Sequence, residues 1–104
     1  MTRKQHWDAP SLVAALAEGR IIPLGEAEWA ALADGFPVAR SIETGIAGTL
    51  LVVRRPVPGR RAAGWAVVER PQPGERVVRP LPDQRATKAL VDERLRAYER
   101  MWDG

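Results

Sequence analysis

One phrase is written twice and echoed a third time in the second half of the chain. Residues 52–61 read VVRRPVPGRR, residues 67–76 read VVERPQPGER, and residues 77–85 read VVRPLPDQR. Each copy starts with a β-branched pair and runs into proline. Proline has no N–H to give to a ladder, so it ends a paired strand. Around these copies, Thr49–Arg55 (TLLVVRR), residues 65–70 (WAVVER) and residues 75–79 (ERVVR) are short β-rich runs separated by Pro/Gly turns. The PQPG connection is short enough for an antiparallel hairpin, and consecutive short strands neighbour one another. The repeat therefore predicts a three-stranded antiparallel meander.

The flanking segments have a different period. Residues 13–19 (VAALAEG) and 29–35 (WAALADG) are a second internal echo, each read as a short helix stopped at a glycine. The first helix begins near Asp8 or Ser11, with Pro10 in its first turn, and aims Leu12, Val13 and Leu16 inward. The second begins around Gly25, carries Glu26 and Glu28 in its first turn, and aims Trp29 and Leu32 inward. The RIIPL segment between them reads as an extended link, and residues 36–48 (FPVARSIETGIAG) as holding one helical turn over 40–43. From Pro82-Asp83 onward, Val91, Leu95, Tyr98 and Trp102 form one apolar stripe of a long helix. Lys88–Asp92 and Asp92–Arg96 are spaced as i,i+4 ion pairs on its other face. The expected fold is a single α+β domain over residues 1–104. It has two short N-terminal helices, a three-stranded antiparallel β-meander and a long C-terminal helix packed on the sheet.

The chain has no cysteine, which excludes disulfides, thiolate nucleophiles and Cys-based metal sites. His6 stands alone near the N-terminus, so it reads as a surface residue, and no metal or organic cofactor is expected. Neither Ser11 nor Ser41 sits in a nucleophile elbow, and ETGIAGT (43–49) fits no phosphate-binding loop. No catalysis is expected. No apolar run approaches the ~20 residues of a membrane span. The N-terminal MTRKQHWDAP lacks a following apolar segment, so a cytoplasmic protein is expected.

Charge is where function shows. The net charge is +3, and fourteen of the sixteen basic residues are arginine. The second half of the chain carries the positive excess. GC-rich coding favours Arg, Ala, Gly and Pro together, which is a compositional account of that bias. Arginine forks also suit carboxylate and phosphate, which is a functional one. Arg54, Arg55, Arg60 and Arg61 flank one turn. With Trp65, Arg70 and Arg76 alongside, they form the expected partner-binding face, because Trp and Arg are enriched where binding energy concentrates. Trp7 reads as a staple ahead of the first helix, and Trp29 and Trp102 as core.

Two partner classes fit such a face. An acidic protein surface is the first, making the chain a small adaptor. Nucleic acid is the alternative, with RRPVPGRR as the wing of a winged helix or as an RNA-binding loop. The second helix, GEAEWAALADG, has three acidic residues and no basic one, which would repel phosphate. The stretch GTLLVV, then GWAVV, then a helix ending near Trp102 resembles the strand, GW-strand and helix of the MbtH-like proteins, small partners of adenylation enzymes. That family's SLWP segment is absent, and no function is carried over from the likeness.

Overall fold

The computed structural model describes residues 7–44 and 48–103, with side chains placed as far as Arg100. His6 and the Trp102 side chain, both assigned above, lie outside that set. Among the described residues, three α-helices and one five-stranded antiparallel sheet make up an α+β fold. In chain order the elements are α1 (Ala9–Ala17), β1 (Ile22–Gly25), α2 (Glu26–Leu32), a 3-10 turn (Ala33–Gly35), β2 (Val38–Glu43), β3 (Thr49–Arg55), β4 (Gly64–Glu69), β5 (Glu75–Leu81) and α3 (Gln84–Asp103).

The sheet corrects the sequence reading. It is not a three-stranded meander: the strand order is β1-β5-β4-β3-β2, so the three expected strands are flanked by two more. The segment read as an extended link is β1, paired with β5 through Ile22↔Val78 and Leu24↔Arg76. The segment read as a helical turn is β2, paired with β3 from Val38↔Val53 to Glu43↔Thr49. Both are edge strands, and each escapes a sequence reading for its own physical reason. β1 contains Pro23, tolerated because an edge strand leaves one side unpaired. β2 is exposed at five of its six positions, so no apolar alternation marks it.

Each face of the sheet carries its own core. Leu12, Ala15 and Leu16 of α1 and Trp29 of α2 pack with Phe36 against Ile22, Leu24, Val53, Ala66, Val68 and Val78. On the opposite face Val91 of α3 packs on Leu50, Val52 and Val67, with Trp65, Leu81, Leu90 and Leu95 partly buried around them. The period of two along β3 and β4 sends successive residues to the two layers. Helix α3 lies over β4 and β5. Ile42 of β2 also packs against this second core.

Local chemistry fixes the helix starts. Asp8 accepts from the Ser11 N–H at 2.8 Å, and the Ser11 hydroxyl accepts from the Asp8 N–H at 3.1 Å, a reciprocal cap. Asp83 takes the same role for α3, accepting from the Ala86 N–H at 2.7 Å. Glu69 ties three elements together: Arg94 of α3 lies at 2.8 Å and Arg79 of β5 at 3.7 Å. No helix among the described residues is long and apolar enough to cross a membrane.

Candidate functional site

The twice-written phrase folds the same way both times. In Val57-Pro58-Gly59-Arg60 the Arg60 N–H donates to Val57 O at 3.1 Å, and in Gln72-Pro73-Gly74-Glu75 the Glu75 N–H donates to Gln72 O at 3.1 Å. The glycines have φ of +78° and +85°. Proline at the second position and a positive-φ glycine at the third are the requirements of a type II turn. The third copy departs from this grammar, because Pro80 stays inside β5. It sits beyond the end of β1, where the edge has no partner to miss its N–H.

What differs between the two turns is the side chains they gather. In the first, Arg54, Arg55, Arg60 and Arg61 line one notch of about 380 Å3 with Gly35, Pro37 and residues 56–57. Two of the four build the notch. Arg54 donates from Nε to Gly64 O at 3.1 Å and from Nη2 to Ala63 O at 2.6 Å. Arg55, on the other face, donates from Nε to Trp65 O at 2.7 Å and from Nη2 to Leu81 O at 3.3 Å. Its Nη1 is buried with no hydrogen-bond partner among the described residues. Burial, and then the nearby Arg60 guanidinium, press the Arg55 pKa below its ordinary value. Arginine keeps its proton regardless, so the site carries concentrated positive charge. Arg60 and Arg61 are exposed at the rim. None of the four forms an ion pair among the described residues.

Trp65 lies beside the notch. It is half-buried, and the Arg54 guanidinium stands 4.0 Å over its ring. Two expected members are elsewhere. Arg70 follows β4 at the far end of the β3–β4 ladder, packed near Gly48, with its Nε buried and without a hydrogen-bond partner among the described residues. Arg76, on β5 near that same end, pairs with Glu26 at 2.7 Å. The structure thus brings together Arg54, Arg55, Arg60, Arg61 and Trp65, and separates Arg70 and Arg76 from them.

Sequence reasoning missed a second set of cations. Arg40 on β2, with Arg85 and Lys88 on the first turns of α3, borders a groove floored by Val52, Trp65 and Val91. Lys88 read as a partner for Asp92, but no such ion pair forms among the described residues. Asp92 instead takes the Arg96 Nε on its backbone carbonyl at 3.3 Å. The missing signal was the strand itself, because Arg40 faces the groove only once β2 exists.

Trp7, read as a staple, is partly buried against the α1–α2 layer, and its backbone N–H donates to the Glu28 carboxylate at 3.0 Å. Compared with known protein families, curated proteins and solved structures, the chain shows no match in any of the three. The likeness to MbtH-like proteins therefore remains one of a short strand–strand–helix stretch.

Proposed function

We propose that this chain is a small non-catalytic adaptor that holds the acidic surface of another protein in its arginine notch. The observation that supports the reading is that four arginines line one concavity with no carboxylate among its described lining residues. Arg54 and Arg55 are fixed by backbone carbonyls, so little side-chain entropy remains to be lost there on binding. Arg60 and Arg61 are free to fork onto carboxylates. Trp65 adds a rigid aromatic neighbour of the kind that anchors protein interfaces. Arginine is also suited to phosphate, so nucleic acid is the competing occupant.

The test is affinity capture from the source cells with wild type and with the Arg60→Gln/Arg61→Gln variant, each with and without nuclease. Recovery of one protein that survives nuclease and disappears in the variant supports the adaptor. Recovery abolished by nuclease, or indifferent to the variant, overturns it. Salt separates the classes again. Each phosphate contact on duplex DNA adds about −0.9 to the slope of log affinity against log salt, so two lost contacts flatten it by about 1.8. A protein complex anchored at Trp65 has a shallower dependence.

A further inference from the structure

The groove on the α3 side is a different feature from the notch, with its own chemistry. It occupies about 530 Å3, a size that holds one small molecule rather than a protein face. Its floor is apolar: Val52 and Val91 are buried, and Trp65 presents aromatic surface beside them. Its two banks are cationic. Arg40 stands on the β2 side, Arg85 and Lys88 on the helix side, and no carboxylate lines it among the described residues.

Three structural details build this groove. First, the main contacts of α3 are with β4 and β5, while β2 lies at the sheet edge. Second, the β3 pairing shifts register between Val38 and Arg40, a bulge at Ala39. Bulges re-aim side chains, and Ala39 and Arg40 both line the groove. Third, Arg54 covers the Trp65 ring while its own guanidinium is held by Gly64 O and Ala63 O, so the indole is fixed before anything binds. An apolar floor between cationic banks matches a ligand with an apolar body and an anionic end. Arg40, Arg85 and Lys88 form no ion pair among the described residues, so their charge is available to it.

We infer that this groove binds a small amphiphilic carboxylate, its apolar body laid on Val52, Trp65 and Val91 and its carboxylate taken by Arg40, Arg85 and Lys88. The inference shares Trp65 with the adaptor reading but otherwise uses different residues, since the adaptor's cations line the notch.

The probe is 2-naphthylacetate, titrated into isotopically labelled protein and followed by NMR. Saturable shifts are expected at the Trp65 indole N–H and the Val52 and Val91 methyls. Acetate alone should leave them in place, and the uncharged 2-naphthaleneethanol should bind about tenfold more weakly or worse, as loss of a charged hydrogen bond implies. Arg85→Gln/Lys88→Gln, both exposed positions, should weaken the probe by a similar factor while the protein stays folded. Arg60→Gln/Arg61→Gln should leave it unchanged, which keeps this result separable from the adaptor's fate. Shifts mapping elsewhere, equal binding of the alcohol, or no saturation would overturn the inference. So would groove resonances that move with protein concentration, showing a second copy as occupant. Saturation by a tryptophan-containing polyglutamate peptide alone, with none by the naphthyl acid, would overturn it too.

Discussion

A Cβ built on Gly64 would stand 2.9 Å from Val57 Cγ2 and 3.1 Å from the Arg55 guanidinium carbon. Neither neighbour can yield cheaply, because Val57 is short and β-branched and Arg55 is bonded to two carbonyls. Gly64→Ala is therefore expected to destabilise the protein by about 1–3 kcal/mol, the usual cost of overpacking, and to disturb the loop resonances first. The same contacts split the four arginines into two pairs. As plain surface charges, each would change stability by less than about 0.5 kcal/mol on replacement by glutamine. That expectation holds for Arg60 and Arg61. Glutamine is too short to reach the carbonyls that Arg54 and Arg55 bind, so each of those substitutions is expected to cost about 1–3 kcal/mol in chemical denaturation. Equal, negligible costs at all four positions would show that the clamps contribute nothing. The sequence announces the four arginines but not this division, because it depends on which carbonyls lie opposite in the folded hairpin.

Among the elements, α3 was the most legible and β2 the least. The α3 stripe is carried by strongly apolar side chains at helical spacing, and Val91 is fully buried where it was expected to be. Leu95 and Tyr98 are only partly buried, since the helix crosses the sheet and its later turns have less beneath them. Val91→Ala is accordingly expected to cost about 2 kcal/mol, and more than Leu95→Ala. A thermal melt in which Leu95→Ala does the greater damage would reverse that order. The start of α1 offers a pH test. Hydrogen bonds from the Ser11 backbone and then its side chain hold the Asp8 pKa below its ordinary 3.8. A depressed carboxylate stabilises above the unfolded value and loses that contribution as pH falls through the folded value. Asp8→Ala should therefore melt below wild type at neutral pH, and the gap should close below about pH 3.8. β2 and β1 escaped notice because edge strands need only one partner. VARSIE lacks the alternation that a half-buried central strand must show, and IPLG, although its burial alternates, is only four residues long with a proline at its second position.

At the scale of the whole molecule, the notch and the groove sit at the same end of the sheet, and both adjoin the free edge of β2. The two sheet edges are protected differently. β1 is four residues long, includes Pro23, and runs at once into α2. Few of its backbone groups are open to another strand. β2 is longer, and Val38 on it is 55% exposed. What guards it is the bulge at Ala39 and the charges of Arg40 and Glu43, devices that stop edges from pairing between molecules. If those charges provide the protection, removing them should expose a template for strand addition. Arg40→Val/Glu43→Val would leave VAVSIV, six residues of high β-propensity with no charge. Neither residue belongs to either core, so the fold itself should survive. Sedimentation velocity at rising concentration should then give a weight-average mass above wild type, while circular dichroism of the dilute variant stays unchanged. A variant matching wild type at every concentration would assign the protection to the bulge, whose unpaired residue twists the edge away from a second chain. Because Arg40 also forms one bank of the groove, the same variant should lose naphthylacetate affinity. If both losses occur, the residue that keeps the sheet edge apart from its own copies also recruits the anion.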